Sequence, residues 1–361
     1  MNEDPRQTFG HRLRQARAMM GWSLRQLSEA VQSQVSHNAL AKYERAEMMP
    51  GSAVLLALAE ALQQPVDFFF RSFTLELRHV RFRKQSRLST KVAGAIHEQA
   101  VDYFERYFEI EQITGEARKF TGRLDSLRVT TPDEAEVAAE KLRSHWQLGV
   151  DPIPNIVELA EYHGIKVFEA PTDDRGFDGF SAQTEAGPII VLASWLNANL
   201  LRKRMTATHE LGHVVLSLPE DLTEKAEEEI MRRFAGAFLL PRAAFIAAFG
   251  TSRSNISLEE LIVMKCLFGA SIMAIMKRAH QLGLISDHAA NAFWRHPDVH
   301  GWRAEKKEEG DERYSGQEQY SRFRQLVLRA AAEERISLSK GASLLGKPLG
   351  EFRHALRNVF S

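Results

Sequence analysis

The chain has 361 residues, 44% hydrophobic and 26% charged, with 47 Lys and Arg balanced by 47 Asp and Glu. That composition excludes a disordered chain, and at roughly 100–200 residues per domain the length implies two or three cores. No run of about 18 apolar residues is present and the opening MNEDPRQTFGHRLRQ is polar. Neither a membrane span nor a signal peptide is therefore expected, and the expected compartment is the cytoplasm.

The single cysteine, Cys266, has no partner for an internal disulfide; in the apolar run LIVMKCLFGA it is expected to be a buried structural thiol. Net charge is zero overall but uneven. Residues 1–90 hold thirteen Lys and Arg against eight Asp and Glu, a basic N-terminal module that suits a polyanionic partner.

From Gln7 to about Phe70 the pattern is one of short helices. Phe9, Leu13 and Ala16 share a face, Gly21 stops that helix, Ser23 caps SLRQLSEAV, and Ser36 opens SHNALAKYERA. After MMPGS the run VLLALAEAL forms another amphipathic helix, and Leu13, Leu27, Leu40 and Leu58 are expected in the core. Segment 72–90 is basic and alternates in places, as a strand or extended connector would, and 91–118 is expected to be one long helix. Thr131-Pro132 then opens a helix at PDEAEVAAEKLRSHW, with acids near its N-terminus.

The helix NIVELAEYHG and three β-like runs, IKVFEA, FDGFSA and PIIVLA, follow in an α+β order. From Arg202 onward nearly everything is helical. The charged stretch RAEKKEEGDER at 303–313 is expected to be solvated, and the last forty residues form a small helical appendage.

The segment RKRMTATHELGHVVLSLP carries the chemistry. His209 and His213 are four residues apart, so on a helix their imidazoles share one face and can chelate one zinc ion. Glu210, beside the first of them, is placed to take a proton from an attacking water. Catalytic zinc has three protein ligands, so one more must come from elsewhere. Glu227, Glu228 and Glu229 open the next amphipathic helix, EKAEEEIMRRFAGAFLLPR, but three consecutive acids point different ways and most of them are expected to be solvated. Tyr162, His163 and His280 are candidates by residue type alone for stabilising an oxyanion.

HELGH followed by Glu228, Phe234, Ala235, Leu239, Leu240 and Pro241 resembles the ImmA/IrrE metallopeptidase family over roughly residues 130–280. The resemblance implies a gluzincin-like site, with His209, His213 and Glu228 on Zn2+ and Glu210 as general base. Met231 and Arg232 stand where that family often has Ala and Asn or His.

Residues 7–70 resemble the XRE, or lambda-repressor-like, helix-turn-helix family, carried by Ser23, Leu27, Val35-Ser36 and the KYERA stretch. In that resemblance Ser36 to Arg45 is the recognition helix, with Ser36 at its start, His37 and Asn38 toward base edges and Lys42 toward a base or phosphate. Arg25 and Gln26 lie where phosphate contacts form. Leu24 replaces the usual Gln, and the customary Gly of the turn is missing.

The fold expected is mainly α with a small α+β zincin-like domain: a five-helix helix-turn-helix domain over 1–72, a connector over 73–129, a metallopeptidase domain over 130–285 and a C-terminal helical region over 286–361. The expected function is a DNA-binding regulator with a zinc endopeptidase that cleaves a regulatory protein such as a repressor. Its expected partners are double-stranded operator DNA, the protein substrate and a second copy of the chain, with no membrane. The competing reading is a non-proteolytic or antitoxin-like regulator whose peptidase-like domain senses a metal or ligand.

Overall fold

The computed structural model describes residues 4–71, 75–78, 88–124, 127–253 and 255–356. In chain order its helices are α1 (Pro5–Met19), α2 (Leu24–Ala30), α3 (His37–Glu44), α4 (Ser52–Ala61), α5 (Thr90–Thr114), α6 (Pro132–His145) and α7 (Ile156–Tyr162). Three strands follow, β1 (Lys166–Ala170), β2 (Gly179–Thr184) and β3 (Gly187–Ala193). The remaining helices are α8 (Leu200–Val215), α9 (Glu224–Leu239), α10 (Arg242–Phe249), α11 (Leu258–Phe268), α12 (Ile272–Gln281), α13 (Asp287–Arg295), α14 (Pro297–Glu305), α15 (Arg322–Ala332), α16 (Leu338–Leu345) and α17 (Leu349–Ala355). The mainly α architecture with one small sheet is the one expected from the sequence.

Contacts divide the chain into two units, Met1–Leu77 with Gln85–Ala117 and Ser321–Ser361, and Arg78–Lys84 with Arg118–Tyr320. The sequence segments 73–129 and 286–361 are each shared between the two. Most of the strand-like stretch 72–90 lies outside the described residues; Arg78, which is described, pairs antiparallel with Gln183.

In the first unit α1 to α4 and a 3-10 turn at Val66–Phe70 enclose Phe9, Leu13, Leu27, Leu40, Leu58, Phe68 and Phe69, all fully buried. Each helix start is local chemistry: Ser23 and Gln26 form a reciprocal capping box on α2, and Ser36 caps α3 through the amide of Ala39. Gly10 lets α1 approach α3, because a β-carbon there would lie 2.6 Å from the Tyr43 carbonyl oxygen. The glycine absent from the turn after α2 has a structural counterpart. Gln32 and Ser33 take left-handed φ values of 54° and 56°, which costs an L-residue about 1–2 kcal/mol.

The sheet of the second unit has the order β1-β3-β2, with β1 parallel and β2 antiparallel to β3. β3 is buried from Pro188 onward, as a central strand should be, and β2 forms a hairpin with it through the turn at Thr184–Gly187. Helix α8 packs on the sheet and α9 packs on α8 and α6.

Most of the stretch 303–313 is exposed, as expected of a solvated segment, but not all of it. Residues to Glu305 continue α14, and Glu308 is only 6% exposed. Its carboxylate accepts from the amides of Ile272 (2.6 Å) and Met273 (3.1 Å), capping α12 from 36 residues away, and pairs with the buried Lys265 at 3.1 Å. Glu308 is the exception to the composition-based reading, because its charge satisfies buried donors. Cys266 is half-buried, more exposed than the core position expected for it. No helix among the described residues is long and apolar enough to cross a membrane.

Candidate metal centre

Helix α8 begins with three consecutive cations at the positive end of its dipole, an unfavourable arrangement unless each is paired. Each is. Arg202 donates to Asp178 at 2.6 Å, Lys203 pairs with Glu169 and donates to Asn197 Oδ1 at 2.7 Å, and Arg204 pairs with Glu318. Lys203 and Arg204 are fully buried, so these pairs fix the register of α8 against β1, the residue before β2 and the segment that carries Glu318. Further along the same helix, about one and a half and two and a half turns beyond Arg204, lie His209 and His213.

The two imidazoles have ring centroids 5.0 Å apart, and His209 is 2% exposed. Helix α9, capped at Thr223, brings Glu228 to them: its Oε1 lies 3.6 Å from His209 Nε2. One ligand-capable atom each from His209, His213 and Glu228 falls within 4.8 Å of the others. The close approach of the two helices depends on Gly212, the fourth residue of HELGH. A β-carbon there would sit 2.8 Å from Met231 Sδ and 3.1 Å from the Phe234 ring. Met231, one of the departures in the sequence, packs its sulfur against Gly212 at this crossing.

A set of two imidazoles and one carboxylate is a donor set that zinc takes, and one donor atom from each already lies within 4.8 Å of the others. The residues present therefore fit a zinc ion held by His209, His213 and Glu228.

Glu210 is 2% exposed, and Ser181 Oγ on β2 donates to its Oε2 at 3.0 Å. The sequence run FDGFSA contains Ser181, but no local signal singles it out, because the two residues are 29 positions apart. Glu227 departs from the expected solvated acid: it is 22% exposed with Oε1 3.3 Å from His213 Nδ1. Arg232 donates to Glu228 Oε2 at 3.1 Å, one turn along α9.

The three oxyanion candidates have other partners. Tyr162 is 67% exposed beneath the Arg118 guanidinium. His163 stacks on Trp146 at 3.9 Å, and burial lowers its pKa to about 4; His280 pairs with Asp287 at 2.7 Å.

In the first unit α3 starts at His37 with Ser36 as its cap, and Arg25, Gln26, Ser36, His37, Asn38 and Lys42 are all exposed. Asn38 and Lys42, four apart, share a face of α3. Gln26 and Ser36 spend their side chains on caps.

Residues 160–280 match the family described as the IrrE N-terminal-like domain, and residues 13–69 match the helix-turn-helix family. No curated protein and no solved structure matches the chain. The two matched segments fall on the two packed units separately, the first on the helices and sheet that carry His209, His213 and Glu228, the second on the four-helix N-terminal core. The chain thus joins an XRE-type helix-turn-helix domain to an IrrE- and ImmA-like metallopeptidase-like domain.

Proposed function

We propose that the protein is a DNA-binding transcriptional regulator whose second unit is a zinc-dependent endopeptidase acting on a regulatory protein. The observation that carries the hydrolytic half is the juxtaposition of His209, His213 and Glu228 with a buried Glu210 that is not one of the three. A site that held zinc only for structure would close with four ligands and need no carboxylate beside them.

When bound, zinc supplies Lewis acidity toward a scissile carbonyl. Glu210 accepts the proton of the attacking water and passes it to the leaving amine, the double role a general base of this kind performs. Ser181 holds one oxygen of Glu210, leaving the other for that proton. β2 lies at the edge of its sheet, where Arg78 already pairs with Gln183, and an extended substrate chain adds as a further strand along the part of β2 nearer Ser181 and Glu210. Cells producing the wild-type chain are expected to show new protein N-termini that cells lacking it do not.

For the DNA half, α3 enters the major groove with His37 and Asn38 at base edges, Asn38 bidentate to adenine, while Lys42 and Arg25 meet the backbone. Replacing His37 and Asn38 together with alanine should weaken operator binding in a gel shift by about 1–3 kcal/mol per lost base contact. Binding that is unchanged would remove α3 as the reading helix.

A further inference from the structure

We infer that α9 supplies, besides the ligand Glu228, the two side chains that aim the ligands: Glu227 holds His213 and Arg232 holds Glu228. The inference rests on the metal-site reading. Its geometry is a pair of polar contacts flanking one ligand on one helix. Glu227 Oε1 stands 3.3 Å from His213 Nδ1, and Arg232 Nη2 stands 3.1 Å from Glu228 Oε2. The other oxygen of Glu228 is the one that faces His209, at 3.6 Å.

Each contact does a different job. An imidazole that ligates through one nitrogen is oriented through the other, and a carboxylate there fixes the ring plane and raises the basicity of the ligating nitrogen. A glutamate side chain has three rotatable bonds. Anchoring Oε2 to the Arg232 guanidinium through Nη2 restricts that freedom and leaves Oε1 toward His209. The anchor is on the outside of the site, because Arg232 is 56% exposed whereas Glu228 is 12% exposed. Arg232 therefore positions a ligand without occupying the space in front of it.

Glu227 and Arg232 are positioning residues, so the test reads zinc affinity and not turnover. Zinc would be titrated into the full chain against a competing chelator, for wild type, Glu227→Ala, Arg232→Ala, Glu227→Gln and Arg232→Gln. The glutamine variants keep, respectively, an acceptor for His213 and a donor for Glu228. Each alanine variant should bind zinc about 10–100-fold more weakly, with the corresponding glutamine variant recovering part of the loss and all metal-free melting temperatures close to wild type. Either alanine variant binding zinc as tightly as wild type overturns the inference, and so does a loss that the glutamine variants do not reverse. A wild-type chain that takes up no zinc overturns the underlying metal-site reading as well, which separates the two failures.

Discussion

Replacing Glu318 with alanine is expected to destabilise the second unit by about 3–5 kcal/mol, the range for removing one partner of a buried ion pair. Glu318 is 3% exposed and Arg204 fully buried, so the variant leaves a guanidinium charge in the interior with only carbonyls and the Tyr314 ring around it. Those carbonyls, of Gly269 at 2.8 Å and Ile153 at 2.7 Å, satisfy its protons but not its charge. The same carboxylate also caps α7, accepting from the amides of Ile156 at 2.9 Å and Val157 at 3.1 Å. Burial pushes the Glu318 carboxyl above the usual carboxylate range, while Arg204 pulls it back down. Urea denaturation of wild type, Glu318→Ala and Glu318→Gln measures the effect. The glutamine variant, which keeps acceptors for the two amides, should lose less than the alanine variant; equal losses would assign the whole effect to the missing charge, and a glutamine variant as stable as wild type would show that the ion pair contributes little.

Replacing Glu210 with glutamine should leave zinc binding intact and lower peptide hydrolysis by about 10²–10⁴-fold, the span of a lost general base. The substitution is nearly isosteric, and its amide oxygen still accepts from Ser181 Oγ, so the packing between β2 and α8 is kept. Glu210 lies outside the set of three metal-capable side chains, which is why metal and activity should separate in this variant. The readout is the set of new N-termini in cells producing wild type against cells producing Glu210→Gln. Termini present with the first and absent with the second establish proteolysis. Identical sets would favour the competing account, in which the metallopeptidase-like unit senses a metal or ligand and cuts nothing.

Much of the first layer of the site was legible because it is local. His209, Glu210 and His213 lie within five residues of one helix, and helical spacing alone puts the imidazoles on one face. The helix-turn-helix core was legible for the same reason: Phe9, Leu13, Leu27, Leu40 and Leu58 recur at helical spacing, and Ser23 and Ser36 are recognisable caps. Glu228 needed the family resemblance, since three adjacent glutamates offer no internal reason to choose the middle one.

What escaped the sequence is tertiary. Ser181 meets Glu210 across 29 residues, Glu308 caps α12 across 36 and Glu318 meets Arg204 across 114. Charge runs such as RAEKKEEGDER read as solvent-facing because most of them are, and only packing shows that Glu308 answers buried amides. Arg232 is the exception that was within reach. It follows Glu228 by four residues on an amphipathic helix, the spacing at which a glutamate and a following cation meet.

The central claim is that His209, His213 and Glu228 together hold one metal ion. Elemental analysis of the purified full chain, wild type beside His209→Ala and Glu228→Ala, tests it most directly. The account predicts about one zinc per chain in the wild type and its loss from both variants. A wild type that holds no metal after zinc is added, or variants that keep it, would contradict the account.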